Sequence, residues 1–145
     1  MSLFSVLSVS ASGMAAQRTR AALLAENLAN AETTRTPEGG PYRRKDAVFA
    51  SDPLAPQFSE VFETALGNAG AGVKVVEIVE DTREPEKRYQ PGHPDADADG
   101  YVAYPRVNPP EDMVDLMSAA RGYQANVAAI SAVKDMLHRS IELLR

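Results

Sequence analysis

The chain has no cysteine in 145 residues and only two histidines, His93 and His138. Without thiols there are no disulfides, no cysteine nucleophile and no thiolate-held zinc or iron–sulfur cluster. Two histidines also leave little for a histidine-rich metal site. No apolar run approaches the roughly 18–20 residues that a membrane helix needs. The opening Ser2-Leu3-Phe4-Ser5-Val6-Leu7-Ser8-Val9 has part of the look of a secretory core. It lacks a positive start and serines interrupt it, so no cleaved signal is expected. Basic residues are the minority, 15 against 20 acidic, for a net charge of −5. Nucleic acid is therefore a poor partner, because phosphate contacts need a basic face.

Proline is missing from both ends. All ten prolines lie between Pro37 and Pro110, together with seven of the nine glycines. Proline in a helix interior costs about 3 kcal/mol, so the ends are free to be long helices and the middle is not. The middle also carries most of the charge imbalance, with nine basic and thirteen acidic residues. Three parts follow: an N-terminal helix over 1–34, a β-rich middle over 35–109 and a C-terminal helix over 110–145.

The C-terminal part has the clearest periodicity. Met113, Leu116, Ala120, Tyr123, Val127, Ile130, Lys134, Leu137, Ile141 and Leu144 step by three and four throughout, which is a heptad seam. Asn108-Pro109-Pro110-Glu111 marks its start, with a capping residue, prolines in the first turn and an acid three positions on. Such a helix is roughly 50 Å long, against about 40 Å across for a compact ball of this chain length, so an elongated molecule is expected. In the N-terminal part Leu3, Leu7, Met14, Ala21, Leu24, Leu28 and Ala31 share a weaker seam, interrupted by Ser10 and Gln17. Frequent alanine there favours helix and lets a partner helix come close. Neither stripe can be hidden alone. The fold class expected is α+β, with the terminal helices packed as a coiled coil beside a small β-rich middle.

In the middle, Tyr42–Ala50, Val73–Val79 and Tyr101–Tyr104 read as strands between glycine- and proline-rich turns. Phe58, Val61, Phe62, Ala65 and Leu66 follow a helical spacing and suggest a short amphipathic helix. Asp95-Ala96-Asp97-Ala98-Asp99-Gly100 matches the first half of a calcium loop, but Arg106 stands where the bidentate glutamate belongs. An Asp-Gly turn feeding the Tyr101 strand is the better expectation. His93 sits between two prolines with no nucleophile at a known motif spacing. His138 lies near the end of the last helix, where a cation suits the helix dipole. Arg43-Arg44-Lys45 reads as a solvated strand end or a contact for an acidic partner, and Lys134 as an edge residue of the seam. No nucleotide-binding or hydrolase motif occurs. The chain reads as an assembly subunit and not an enzyme, with no cofactor or metal called for.

Several blocks resemble a known family. Ser12-Gly13-Met14-Ala15-Ala16-Gln17 followed by Asn27-Leu28-Ala29-Asn30-Ala31 is similar to the N-terminal signature of bacterial flagellar rod and hook axial proteins. Pro41-Tyr42-Arg43-Arg44-Lys45 with Val48-Phe49, then Val73-Lys74-Val75, Pro91-Gly92-His93-Pro94 and Asp97-Ala98-Asp99-Gly100-Tyr101-Val102, resemble the proximal-rod subunits among them. Glu111-Asp112-Met113-Val114 and Ala120-Arg121-Gly122-Tyr123-Gln124-Ala125-Asn126 continue the likeness, while Ser51 to Gly72 fits least.

The resemblance implies a structural protein of the flagellar basal body, exported by the flagellar type III apparatus without a cleaved signal and assembled in the periplasmic rod. Its partners would be other copies of itself, other proximal-rod proteins, the MS-ring and export gate, and the distal rod, with no nucleic acid and no small-molecule substrate. The candidate assembly residues are Leu24, Leu28, Met113, Leu116, Ala120, Tyr123, Val127, Ile130, Leu137 and Ile141 from the seams. Asn27, Asn30, Gln124 and Asn126 join them on the resemblance. Another rod subunit, or a helical adaptor binding one partner, is the competing expectation. A small hydrolase using Asp97 or Asp99 with His93 would need a deep pocket.

Overall fold

The computed structural model describes residues 3–53 and 71–143. The proposed short helix over 58–66 and the seam residue Leu144 lie outside them. Two long helices, α1 (Leu3–Ala29) and α2 (Pro109–Leu143), bracket four strands, β1 (Lys45–Pro53), β2 (Ala71–Glu80), β3 (Glu86–Tyr89) and β4 (Tyr101–Tyr104). The α+β class, with long terminal helices and a small β middle, is the one expected from the sequence. β3 carried no sequence signal, because three of its four residues are charged and all four are exposed.

Local chemistry sets the helix ends. α1 stops at Asn30, whose N–H still reaches the Glu26 and Asn27 carbonyls at 3.1 and 3.2 Å before the chain turns. The turn from Thr36 to Gly40 closes with the Thr36 N–H on the Gly40 carbonyl at 2.8 Å, and Gly39 and Gly40 supply positive φ values of 92° and 80°. At the start of α2, the Asn108 carbonyl accepts the Asp112 N–H at 3.0 Å. Pro109 and Pro110 have no N–H, so two of the donors a helix start normally leaves unpaired do not exist.

The helices run antiparallel, as three cross-contacts at successive levels show. Arg20 pairs with Asp115 at 3.2 Å, Gln17 lies over Gly122, and Gly13 lies under Asn126. A Cβ on Gly13 would sit 2.9 Å from Asn126 Oδ1, and one on Gly122 would sit 3.2 Å from Gln17 Cδ. Each helix thus gives one glycine and one amide side chain, four residues apart. The α2 row facing inward contains Asp112, Ala119 and Val133, all buried, with Gly122 and Asn126 half-buried between them. This row lies beside the Met113–Ile141 heptad and is not that heptad. Met113, Ala120, Val127 and Lys134 each follow an inward residue by one position, about 100° round the helix, and turn outward, whereas Leu116, Ile130 and Leu137 follow one by four, about 40°, and reach the interface edge.

The β1/β2 ribbon lies along α1, pinned at both ends. Its pairing runs from Lys45 opposite Glu80 to Pro53 opposite Ala71, with a bulge between Val48 and Phe49 that leaves Val76 unpaired. At one end the Val73 N–H donates to Ser12 Oγ at 3.1 Å, and that hydroxyl donates to the Val9 carbonyl at 2.7 Å. A Cβ on Gly72 would sit 2.9 Å from the same hydroxyl. At the other end Asn27 holds Lys45. Ser12 and Asn27 are about 22 Å apart along a helix, and the steps of strand from Lys45 to Ser51 cover about 20 Å, so the two pins match. The smaller β3/β4 hairpin pairs Glu86 with Tyr104 and Tyr89 with Tyr101.

The close helix contact is testable by a mutant cycle. Gly13→Val should destabilise by about 1–3 kcal/mol through overpacking against Asn126. Adding Asn126→Ala should recover a large share of the lost melting temperature. Purely additive losses would show that the two residues do not touch.

Candidate assembly surface

The polar residues of the N-terminal signature build the subunit itself. Asn27 is fully buried and its amide reads the Lys45 peptide from both sides: Nδ2 donates to the Lys45 carbonyl and Oδ1 accepts the Lys45 N–H, each at 2.9 Å. The Tyr42 hydroxyl donates to the same Oδ1 at 2.9 Å. One side chain on α1 therefore serves three groups on the chain entering β1. Loss of a hydrogen bond leaving a buried partner unpaired costs about 1–3 kcal/mol, which makes this a fold-holding node. Asn30 acts locally, donating to the Glu26 carbonyl and accepting from Thr33 Oγ1. Leu24 is buried and Leu28 half-buried on α1.

The basic triplet is bound within the chain. Arg44 Nη1 reaches Asp112 Oδ1 at 2.9 Å, with the arginine side chain 16% exposed and the aspartate fully enclosed. The contact is ionic in distance, yet neither Asp112 oxygen gains an aligned hydrogen bond. Burial pushes the Asp112 carboxyl above its usual range and the Arg44 charge opposes that shift. The pair ties the entry of β1 to the first turn of α2, and removing Arg44 would strand a buried carboxylate at a cost of about 3–5 kcal/mol. Lys45 Nζ reaches Glu26 at 2.8 Å, and Arg43 donates to the Asp81 carbonyl at 3.1 Å.

The aspartate-rich turn is also consumed locally. Asp97 Oδ1 accepts the Asp99 and Tyr101 N–H groups at 3.1 and 2.8 Å, and Gly100 takes a positive φ of 81°. Asp95 Oδ2 accepts from Thr34 Oγ1 at 2.8 Å, tying this hairpin to the end of α1. The Asp95 N–H donates to His93 Nδ1 at 3.1 Å. His138 and Lys134 are exposed on α2.

Large apolar residues also face outward on α2. Met113, Tyr123, Val127 and Ile141 are 52, 41, 42 and 65% exposed, and Ala120 and Gln124 lie among them in the open. Leu116, Ile130, Leu137 and Asn126 are half-buried. The candidate residues thus divide: Leu24, Asn27 and Asn126 serve the fold, and the outer α2 row is uncovered. Met117, at 53%, belongs to that row and fell outside the sequence seam. The inward row was also missed, although Asp112, Ala119, Asn126 and Val133 recur every seven residues, because it is made of small and polar side chains. The chain exposes 10284 Å², against about 7,200 Å² for a compact monomer of 15.6 kDa. Uncovered helix is part of that excess.

Comparison with known proteins places this arrangement. The family model for the flagellar basal body rod FlgEFG protein C-terminal region matches residues 98–143, from the aspartate turn through α2. The flagellar basal-body rod protein FlgC of Bacillus subtilis (strain 168) is 44% identical over 150 residues, covering 99% of each chain. The FlgC proteins of Borreliella burgdorferi and Salmonella typhimurium are 40% and 41% identical, over 100% and 99% of this chain and 99% and 98% of theirs. The chain belongs to the FlgC family of flagellar basal-body rod proteins. With that family it is a structural subunit of the bacterial flagellar rod, and the residues of the FlgC likeness can be assigned physical tasks: Ser12 and Asn27 hold the ribbon, Gly13 and Asn126 interlock the helices, and Asp97 shapes a turn.

The buried Tyr42 gives the FlgC-family fold a pH signature. Burial, with Glu26 nearby, raises its phenol from 10.0 to about 12. The folded chain therefore keeps a proton that the unfolded chain loses between pH 10 and 12, and stability falls through that window by about 2–3 kcal/mol. Thermal unfolding followed by circular dichroism should show a steeper decline over pH 10–12 for the parent than for Tyr42→Phe. Parallel curves would place the phenol in solvent.

Proposed function

We propose that the chain is a proximal-rod subunit that polymerises through its terminal helices and transmits torque from motor to hook. The helices of 1–34 and 110–145 form an inner layer shared among subunits, and residues 35–109 form an outer layer. Assembly takes place in the periplasm after export by the flagellar type III apparatus without a cleaved signal. Other copies of the chain and other proximal-rod proteins are its neighbours, with the MS-ring and export gate on one side and the distal rod on the other. The role is mechanical and needs no catalysis: the described polar clusters are engaged in turns, pins and ion pairs.

The observation that carries this reading is the outer row of α2. Met113, Tyr123, Val127 and Ile141 sit in register with the heptad, large and apolar, and are 41 to 65% exposed. Their burial between subunits gives a repeating gain at every copy, at about 1.5–3 kcal/mol per large side chain.

Val127→Glu tests it. The residue is exposed in the monomer, so the purified variant should melt within about 0.5 kcal/mol of the parent in stability. In cells it should be made and exported but fail to enter the rod, leaving them non-motile. A variant that swims normally would remove the row from assembly.

A further inference from the structure

The outer row of α2 has a definite shape. Met113, Met117, Ala120, Gln124 and Val127 step by four and three and are all exposed, and the same steps pass through the polar Ser131, Lys134 and His138 before reaching Ile141. The outer face of α1 carries the same period with opposite size. Ala11, Ala15, Ala22, Ala25 and Ala29 share it with Arg18 at the remaining step, and every one of these positions is exposed. One face is knobs and the other is shallow holes, each on a 3.5-residue repeat.

The two faces are of similar length. The apolar part of the α2 row, Met113 to Val127, spans about 21 Å, and Ala11 to Ala29 spans about 27 Å. They cannot meet within one chain, because α1 already presents a different side, through Gly13 and Gln17, to its own α2. The outer α2 row is also continuous with that internal interface at Leu116, Ile130 and Leu137, so a further helix laid beside it would extend an existing apolar seam.

We infer that the outer row of α2 on one copy receives the alanine face of α1 from a second copy. The contact is heterologous, pairing unlike surfaces, and so leaves one of each free for the next subunit. Such contacts propagate, whereas α2 against α2 would close a dimer and stop growth. This inference rests on the rod-subunit reading and specifies which surfaces meet.

The natural absence of cysteine makes the test clean. Cysteine is placed at Ala15, Ala22 or Ala29, alone and in combination with Val127→Cys, in cells whose own copy is deleted. Cells that swim are oxidised and probed on a non-reducing denaturing gel. At least one double variant should give dimers, trimers and higher species, and each single variant should stay monomeric. Dimers from Val127→Cys alone, or only monomers from all three double variants in swimming cells, would overturn the heterologous contact while leaving the rod role intact. Normal motility of the deletion strain itself would instead overturn the rod role.

Discussion

Two glycines let α1 and α2 approach so closely that a row of small and amide side chains suffices to hold them. Gly13 accommodates Asn126, and Gly122 accommodates Gln17. A wider helix spacing would require large side chains in the gap, and α2 would have to turn its methionines, valine and isoleucine inward to fill it. Because Ala119 and Val133 are enough, the large residues remain outside. The subunit keeps a modest internal core and an apolar exterior. A protein that works alone pays for such an exterior in aggregation; in the proposed assembly neighbouring subunits cover it.

The remaining fold depends on a few polar nodes that compensate for the thin core. Asn27 substitutes for a neighbouring strand at Lys45, Ser12 holds the far end of the ribbon, and Arg44 with Asp112 locks the entry of β1 to the start of α2. Each node joins two different elements, so together they fix how the ribbon sits on the helices. Torque passing between an inner helical layer and an outer β layer would have to cross these same contacts. Hydrogen bonds suit that load because they are directional, whereas apolar contact alone permits sliding.

Much of the fold is legible in the sequence. Proline placement pointed to helices at both ends, and Asn108-Pro109-Pro110-Glu111 put the start of α2 within a residue of Pro109. β1, β2 and β4 followed from their β-branched and aromatic content. β3 did not, since Glu86-Lys87-Arg88-Tyr89 pairs with β4 through backbone groups and exposes its side chains. The candidate site was half legible. Hydrophobic periodicity found the outward residues Met113, Val127 and Ile141, but treated one seam as both the internal contact and the external one. The internal row is written in Gly, Ala, Asn and Asp, residues that a hydrophobic count passes over. Asn27 was marked only by family likeness, and its task at the Lys45 peptide needed the geometry.

Maleimide labelling of single cysteines, compared between purified monomer and isolated basal bodies, tests the division of α2 into two faces most directly. Val127→Cys should label fast in the monomer and be protected in the basal body, while Ala119→Cys should label slowly in both. Equal labelling of Val127→Cys in the two states would contradict the account.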